Sequence, residues 1–380
     1  LKGDTSGELT IQAPSVAGTN TLDLPASSGT LLTTTGNGSQ LTGLPNSYAG
    51  TKNLIINGNM QIAQRATSVA GITTSGYYTV DRYQTAIAGS TGTWTNSQDT
   101  DVPSGQEFAN SFKLECTTTK AILDATSVCF PRQMIEGFNV QQLGYGTANA
   151  KSVTLSFWVK SNKTGTYIAE LFKDDDSRTI SQAYTISVAD TWEKKTITYV
   201  GDTTGTIPND NSSGLRVQFM IAAGSNYSSG TLQTSWGNIV QANRAVGQVN
   251  LADTIGNYIN ITGVQLEVGE QASDFENLPY GTQLQLCQRY YQEYGGAYLI
   301  GGYQSGASED YRRETFPVTM RATPTASSAG TWATTGTSNT KPNIAAGSNN
   351  GVTIYAVTTG GNWYMDANSV DDKLIFSAEL

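Results

Sequence analysis

The amino-acid sequence predicts an all-β protein. Several segments alternate apolar and polar residues with the two-residue period of a strand that buries one face. The 380 residues include 40 glycines and 10 prolines, which divide the chain into short pieces. One segment has the three- and four-residue spacing of a helix. Chains of many short strands with Gly-rich turns form sandwiches or barrels. We therefore expect a β-sandwich with a fibre-like N-terminal segment, one short helix and a small C-terminal β domain.

Residues 1–51 form the first predicted unit, a shaft or attachment segment. They are polar and rich in turn-forming residues, and short apolar pairs recur along them. The pairs are Leu9/Ile11, Leu22/Leu24 and Leu31/Leu32. Each strand-like piece is too short to build a core alone. The segment is either a disordered linker or a strand-rich shaft stabilised by identical copies, and the regular pairs favour the shaft.

Residues 52–280 form the second predicted unit, a β-sandwich. The segments SVTLSFWVK and GLRVQFMIA place apolar residues on one side and polar residues on the other, as a sheet with one wet face requires. In YINITGVQLEV the apolar phase slips at Gly263, which predicts a β-bulge. The Asn57-Gly58 pair between two apolar runs predicts a hairpin. The acidic run from Asp174 to Asp176 is most simply a turn.

Residues 281–380 form the third predicted unit, a short helix followed by a small β domain. Thr282 and Gln285 have the spacing of a capping box. Apolar side chains recur at helical spacing up to Tyr294, and Gly295-Gly296 would end the helix. The segments ETFPVTM, GVTIYAV and KLIFSAEL then read as strands.

Composition excludes several classes of function. Lys plus Arg is 22 and Asp plus Glu is 31, which gives a formal charge of −9, and there is no histidine. Ser-His-Asp and Cys-His nucleophile systems and the commonest zinc ligand are therefore absent. An acidic chain without a basic cluster does not bind nucleic acid through its phosphates. No run of about 18 apolar residues predicts insertion into a membrane.

No cofactor, metal or catalytic set is predicted. The acidic run at Asp174–Asp176 lacks the spacing of an EF-hand loop. Three cysteines without metal spacing indicate buried free thiols. We expect no enzymatic activity, although a glycosidase or lyase site built from carboxylates stays open because spacing in space is not visible in sequence. The scattered acids that would supply one are Asp81, Glu115, Glu136, Glu267, Asp274 and Glu276.

Aromatic residues supply the candidate ligand-binding positions. A sugar presents a C–H face to an aromatic ring while amides and carboxylates bind its hydroxyls. A chain poor in charge and rich in Tyr, Trp, Asn and Gln suits that chemistry. Six aromatics in polar surroundings expected to be loops are therefore candidates: Trp94, Tyr227, Trp236, Trp332, Trp363 and Tyr364. Alternatively each packs in a core or a subunit interface. Trp158 and Trp192 are interpreted as structural, and Asp81-Arg82 as an ion pair at a strand edge.

Several segments together resemble a family of bacteriophage tail-fibre and receptor-binding proteins. NLIINGN resembles the opening of that family's jelly-roll-like module, VDRYQ an aromatic-Asp-Arg-aromatic element, and SVTLSFWVKS its central strand. The most distinctive segment is YINITGVQLEVGEQASDFENLPYGTQLQLCQRYYQ, at 258–292. FPVTMRATPT resembles the first strand of a C-terminal piece. GELTIQAPSVAGTNTLDLPASSGTLLTT, near the N-terminus, resembles a repeat of fibre shafts.

The resemblance implies a virion structural protein, a homotrimer assembled in the host cytoplasm whose exposed end contacts the host surface. Its partners would be other tail or capsid proteins and host surface polysaccharide, and a trimer would add avidity to weak sugar contacts. We expect adhesion to host surface glycans. The alternatives are a capsid decoration or tail adaptor protein without its own ligand, and a polysaccharide-degrading enzyme.

Overall fold

A computed structural model describes residues 52–296 and 298–380 of the chain. The predicted N-terminal shaft lies outside these residues. The strands of the first part are β1 (Ser68–Ile72), β2 (Gly76–Tyr77), β3 (Gln84–Ala88), β4 (Thr93–Asp99), β5 (Ser111–Thr118), β6 (Val128–Glu136), β7 (Val153–Ser161), β8 (Gly165–Lys173), β9 (Arg178–Ile186), β10 (Glu193–Tyr199), β11 (Ser213–Met220), β12 (Ala222–Ala223), β13 (Gly237–Asn238) and β14 (Tyr258–Val268). The one-turn helix α1 (Ser225–Ser228) lies between β12 and β13.

These strands form two antiparallel sheets. Sheet I has the order β1-β4-β5-β14-β7-β10, and sheet II has the order β13-β9-β8-β11-β6-β3-β2, with β12 paired to β6. The odd-numbered apolar residues of β7 and β11 lie between the sheets. Phe157 of sheet I, for example, meets Phe219 of sheet II with ring centroids 5.0 Å apart. The predicted all-β, jelly-roll-like sandwich is confirmed.

The bulge predicted at Gly263 is confirmed. β14 pairs with β7 through Thr262 opposite Trp158 and through Gln265 opposite Ser156, so two residues of β14 face one residue of β7. Gly263 has φ +61°, a left-handed conformation that glycine adopts without strain. The extra residue explains why the apolar phase of this strand changes from odd to even positions.

The hairpin predicted at Asn57-Gly58 is wrong, although a turn is present there. Residues 53–62 contain no strand. The Asn57 side chain accepts from Ile62 N at 3.0 Å and donates to Ile62 O at 2.9 Å, while Asn53 Oδ1 accepts from Leu266 N at 3.0 Å. Amide side chains therefore satisfy backbone groups that a strand partner would otherwise bind.

The C-terminal strands are β15 (Tyr291–Gly295), β16 (Tyr298–Gln304), β17 (Glu309–Thr315), β18 (Thr325–Ala329), β19 (Ala333–Thr335), β20 (Asn343–Ser348), β21 (Gly351–Val357), β22 (Gly361–Ala367) and β23 (Lys373–Ser377). They form three three-stranded sheets, β15-β23-β18, β16-β22-β19 and β17-β21-β20. In each sheet the middle strand comes from the last third of this region and is antiparallel to both neighbours. A second hydrophobic core, separate from that of the sandwich, includes Trp332, Trp363 and Phe376. The described residues nevertheless belong to one compact unit, and the boundary at 280/281 stays a prediction.

Two predictions for the C-terminal region need correction. The helix α2 spans Tyr280–Gln288, with Pro279 rather than Thr282 at its N-cap and without a side-chain capping bond. Tyr291 and Tyr294 belong to β15, because pairing with β23 overrides the helical spacing. Phe316 lies beyond the end of β17, and the segment from there to Pro324 forms no strand. Pro317 explains this, because it lacks the N–H that a strand needs. GVTIYAV is confirmed as β21.

Buried ion pairs join the sandwich to the C-terminal strands. Arg82 and Glu379 form an ion pair, and the Arg82 guanidinium lies 3.4 Å from the ring centroid of Tyr290. Asp81 instead pairs with Arg65 at 3.4 Å. The predicted ion pair between Asp81 and Arg82 is therefore wrong: the two residues lie in a turn in which Arg82 has φ +73°, and their side chains bind different partners. Arg289 adds a bidentate pair with Glu136, at 2.7 and 2.6 Å.

A buried lysine occupies a cage of oxygen atoms at one end of sheet II. Lys173 is fully buried, and its Nζ lies 2.9 Å from Asp176, 3.0 Å from Asp202, and 2.9 and 2.7 Å from the carbonyls of Thr204 and Gly205. Asp176 thus belongs to the turn that was predicted between β8 and β9, and its carboxylate is engaged by an ammonium.

The cysteines Cys116, Cys129 and Cys287 are free and buried, as predicted. Within the described ranges, neither helix has the length and apolar character needed to cross a bilayer.

Candidate functional site

Three of the six predicted ligand-binding aromatics lie in hydrophobic cores. Trp94 lies in β4 and is 0% exposed, Trp363 lies in β22 and is 2% exposed, and Trp332 precedes β19 and is 4% exposed. A ring without exposed surface cannot stack on a sugar, so the interpretation of these three as binding residues is wrong. Each occupies a position where apolar surface is removed from water.

The other three predicted aromatics are not brought together. Trp236 is half-buried and packs edge-on against Tyr145, with ring centroids 5.7 Å apart. Tyr227 lies half-buried in α1, and the Arg244 guanidinium is 5.9 Å from its ring centroid. Tyr364 lies in β22 opposite Gly301 and is 43% exposed. Of the six residues, Tyr364 offers the most open ring face.

The tryptophans differ most clearly in whether the indole N–H has a protein acceptor. Five of the six tryptophans donate to a protein oxygen, at distances of 2.7–3.2 Å, and these are Trp94, Trp192, Trp236, Trp332 and Trp363. Trp158 has no acceptor for its N–H among the described residues. A partly exposed indole whose N–H has no protein acceptor can donate to a polar ligand.

Trp158 lines a polar cleft of about 340 Å³ on the outer face of sheet I. Strands β7 and β10 supply Ser156, Trp158 and Lys194 to this cleft. Gly263 of β14 also lines the cleft, and two loops supply the rest, one before β5 and one after β14. The loop residues are Gly105, Gln106, Glu107, Phe108, Ser273, Asp274, Phe275 and Asn277.

The bulge at Gly263 shapes one wall of the cleft. A Cβ atom at this position would lie 2.6 Å from Phe108 Cζ, so the phenyl ring packs directly on the glycine. Phe275 then contacts Phe108 edge to face, with ring centroids 5.1 Å apart. The glycine therefore permits both the left-handed backbone and the close approach of an aromatic wall.

The loop after β14 is held in place by Gln265 and Glu267 of the distinctive QLE segment. Glu267 accepts from Ser273 N at 2.8 Å and from Ser273 Oγ at 2.6 Å. Gln265 accepts from Glu276 N at 2.8 Å. Glu276 in turn accepts from the backbone N–H groups of Lys52 and Asn53, at 3.1 and 2.9 Å. These polar side chains therefore have structural roles and position the loop beside Trp158.

The polar groups of the cleft suit the hydroxyls of a saccharide. Glu107 and Asp274 present carboxylates, and Asn277 donates to Glu107 at 3.2 Å. Lys194 adds an ammonium and lies directly across from Trp158 in the pairing of β7 with β10. Acceptors, donors and the rings of Trp158, Phe108 and Phe275 converge on a single concave surface, which combines the aromatic and polar groups that a small-ligand site uses.

Trp192 is the other tryptophan that was interpreted as structural. Its indole donates to Asp101 at 2.9 Å. Burial of Asp101 opposes ionisation, but hydrogen bonds from Lys160 and Trp192 outweigh it and lower the pKa of that carboxyl. This side chain is part of a fixed polar cluster. Among the described residues, no group of three or more acidic or cysteine side chains is arranged to hold a metal ion.

Sequence reasoning missed Trp158 as a site residue, although its position carried a signal. The odd-numbered residues of β7 are apolar and fill the core, so the even-numbered Trp158 must point outward. A large aromatic on the wet face of a strand is the observation that identifies it.

Comparisons with known proteins find similar folds and no family. No protein-family model matches the chain, and no curated protein matches it. The enzymatically active domain of tailspike protein 4 from bacteriophage CBA120 is similar with a TM-score of 0.31 and 15% identity, over 57% of this chain and 22% of the tailspike chain. The similarity therefore spans under a quarter of that chain's length.

Two carbohydrate-binding modules are also similar. TmCBM61, solved with β-1,4-galactotriose, has a TM-score of 0.27 and 10% identity, over 58% of this chain and 100% of the module. The CBM22-1 xylan-binding domain of Paenibacillus barcinonensis Xyn10C has a TM-score of 0.28 and 10% identity, over 54% of this chain and 98% of the domain. All three TM-scores are below 0.5, so the similarities carry no argument about function.

Proposed function

We propose that this chain is a phage virion protein, a tail fibre or receptor-binding protein, that adheres to host surface glycans through the cleft around Trp158. The observation that carries the glycan-binding part is the half-buried Trp158 indole, whose N–H has no protein acceptor among the described residues, in the lining of a polar cleft. The virion role follows from the resemblance of the sequence segments to phage fibre proteins.

The contacts of the cleft support binding rather than catalysis. Its carboxylates, Glu107 and Asp274, lie on loops at its rim together with amide and ammonium groups. Such a mixture recognises hydroxyl groups by hydrogen bonding, and the Trp158 face adds apolar contact area. We propose that the chain is a homotrimer, in which three shallow clefts would act together and raise the avidity for a repeating polysaccharide.

Binding to an array of bacterial surface polysaccharides tests the glycan-binding part. We expect the full chain to bind at least one polysaccharide, and Trp158→Ala to abolish that binding. Tyr364→Ala is the matched control, because it removes an exposed aromatic outside the cleft. Binding that survives Trp158→Ala and is lost in Tyr364→Ala would move the site to the C-terminal strands. Failure to bind any polysaccharide or host cell would favour the decoration or adaptor role.

Two further measurements test the remaining parts of the proposal. Light scattering of the full chain should give three times the chain mass of 40.4 kDa, and a monomer would contradict the trimer. Incubation with the bound polysaccharide should release no reducing sugar. Release that Glu107→Gln or Asp274→Asn abolished would show a carboxylate-based hydrolase instead.

A further inference from the structure

A row of polar side chains crosses the outer face of sheet II, on the opposite side of the sandwich from the Trp158 cleft. Strand pairing places Gln84 opposite Arg132, Arg132 opposite Gln218, Gln218 opposite Glu170, and Glu170 opposite Ser181. The row thus runs across five neighbouring strands, β3-β6-β11-β8-β9. Opposed residues of paired strands are in contact range, so these side chains form one continuous polar surface.

The surface beside this row is apolar and covered. Residues two positions along the same strands form a small hydrophobic cluster, which the segment after α1 covers. The cluster includes Ala86, Phe130, Ile168, Met220 and Ala245, with Tyr227 and Leu232 packed against it. The cover reaches the Glu170 end of the polar row, while Gln84 and Arg132 at the other end stay partly exposed.

The two carboxylates near the row are already neutralised. Glu170 is fully buried and binds Arg244 through two hydrogen bonds of 2.9 and 2.6 Å, and it also accepts from Gln218 at 3.0 Å. Asp174 forms an ion pair with Arg216, whose Nε lies 2.7 Å from a carboxylate oxygen. Neither acid is left to balance another cation.

Arg132 is a cation of this polar row that has no carboxylate partner. Its Nε donates to Gln84 at 2.7 Å, and no carboxylate among the described residues lies within ion-pair distance of its guanidinium. Partly buried charges are normally paired. Burial, followed by repulsion from Arg216, lowers the pKa of Arg132 to about 10. An electropositive position of this kind is unexpected in a chain whose formal charge is −9.

An aromatic ring lies on the same face. Phe172 is half-buried and lies opposite Arg216 in the pairing of β8 with β11. The guanidinium groups of Arg216 and Arg244 lie 5.0 and 5.7 Å from its ring centroid, so a ligand contacts the part of the ring that these two cations leave open. The strands that carry Arg132 and Phe172 are separated by one strand, a distance of about 10 Å across the sheet. A ligand that contacts both residues must therefore be longer than one sugar ring.

We propose that Arg132, oriented by Gln84 and flanked by Arg216, binds the anionic group of a charged glycan whose neighbouring residue contacts Phe172. The anionic group is a carboxylate of a sugar acid or a phosphate substituent, because the planar guanidinium recognises both by paired hydrogen bonds. The choice of a glycan rests on the proposed function, but the subsite lies on the other sheet and does not use the Trp158 cleft.

Titration calorimetry on the full chain tests this subsite with three probes. They are an oligogalacturonate, the same oligomer with its carboxyl groups reduced, and inorganic phosphate. We expect the oligogalacturonate to bind, and Arg132→Gln to weaken it by at least tenfold, as loss of a charged hydrogen bond predicts. Arg313→Gln, which removes an exposed arginine of β17, should change the affinity less than twofold. Phosphate binding with the same dependence on Arg132, without oligogalacturonate binding, would identify the phosphate substituent as the ligand.

Other outcomes separate this proposal from the proposed function. Trp158→Ala should leave oligogalacturonate binding unchanged. If this variant loses only its binding of neutral glycans, the result tests the Trp158 cleft and says nothing against the Arg132 subsite. The subsite is overturned if wild type binds neither anion, or if Arg132→Gln binds as wild type does. The melting temperature of Arg132→Gln should equal or exceed that of wild type, since the unpaired charge is disfavoured. A clear decrease would indicate a structural role and would also overturn the proposal.

Discussion

The guanidinium of Arg82 lies over the ring of Tyr290, 3.4 Å from its centroid, and so joins the sandwich to the turn between α2 and β15. The same guanidinium pairs with Glu379, next to the last residue of the chain, and donates to Met134 O at 2.7 Å. Arg82 and Tyr290 belong to the VDRYQ and QRYY segments that resemble phage fibre proteins. Those two segments therefore hold the sandwich and the C-terminal strands in contact.

Removal of the negative partner of Arg82 should destabilise the fold strongly. Glu379→Gln leaves Arg82, which is 1% exposed, as a buried charge without its counter-ion. We expect the free energy of unfolding to fall by about 3–5 kcal/mol, measured by chemical denaturation. Asp124→Asn is the matched control, because it breaks a surface pair with Lys120 that should contribute less than about 1 kcal/mol. Equal losses of unfolding free energy in the two variants would contradict the role of the Arg82–Glu379 pair as a buried ion pair.

The bulge glycine should be irreplaceable for both folding and binding. Gly263→Ala places a Cβ on a left-handed residue and against the Phe108 ring, whereas Gly256→Ala places one on a left-handed residue with open space around it. The control should lose about 1–2 kcal/mol of stability, from backbone strain alone. Gly263→Ala should lose more and should also weaken polysaccharide binding. If both variants bind as wild type does, the bulge does not shape the site.

The carboxylate of Glu267 should control the order of the loop beside the cleft. Glu267→Ala removes the acceptor for Ser273 N, Ser273 Oγ and Gln265 Nε2. We expect backbone amides of residues 269–277 to exchange at least tenfold faster in hydrogen–deuterium exchange, since local opening becomes easier by about 1.4 kcal/mol or more. Glu270→Ala, at an exposed residue of the same loop whose carboxylate accepts one long hydrogen bond of 3.3 Å from Ser152 Oγ, should change exchange much less. Unchanged exchange in Glu267→Ala would refute this role.

Asp81 should make stability depend on pH. Burial raises the pKa of Asp81 to about 6, although Arg65 and the hydrogen bonds from Gln64 act in the opposite direction. The folded state therefore holds this proton more tightly than the unfolded state, and the contribution of Asp81 to stability falls as pH rises from about 4 to about 6. Asp81→Asn removes that loss. The free energy of unfolding of Asp81→Asn, relative to that of wild type, should rise by about 2 kcal/mol between pH 4 and pH 7, measured by denaturation at each pH. If the unfolding free energies of wild type and Asp81→Asn change in parallel with pH, the raised pKa of Asp81 is contradicted.

A pair of substitutions at Trp158 should separate stacking from hydrogen bonding. Trp158→Phe keeps an aromatic face and removes the indole N–H, so polysaccharide affinity should fall about three- to tenfold, as loss of one hydrogen bond predicts. Trp158→Ala should reduce affinity further because the aromatic surface is also lost. Titration with the polysaccharide identified on the array gives both values. Equal affinities for wild type and Trp158→Phe would mean that the N–H does not contact the ligand.

Patterns within short segments of sequence predicted the strands and the bulge whose conformation depends on neighbouring residues. Strict alternation located β7 and β21, and the slip in phase located the bulge at Gly263. The failures lie where distant residues decide the backbone conformation. The segment around Asn57 is held by side-chain bonds rather than a strand partner, and Tyr291 pairs with Ser377 at the far end of the chain.

The site was less predictable than the fold. Composition indicated that aromatics would bind the ligand, but burial depends on strand phase and on what covers each face. Trp94 and Trp363 lie on inward positions, and Trp158 lies on an outward one. Glu107 and Asp274 meet at the cleft from loops that are far apart in sequence. Nothing in either local sequence indicates that the two loops are neighbours.

The oxygen cage around Lys173 makes this part of the fold independent of dissolved metal ions. Four oxygen atoms, two from carboxylates, surround a position that a dissolved cation could otherwise fill, and the cation here is carried on the chain itself. A tethered ammonium cannot be diluted away or removed by a chelator. Arg178, which pairs with Asp202 at 2.8 Å, supplies the second positive charge, so groups of the chain itself balance both carboxylates in this corner of sheet II.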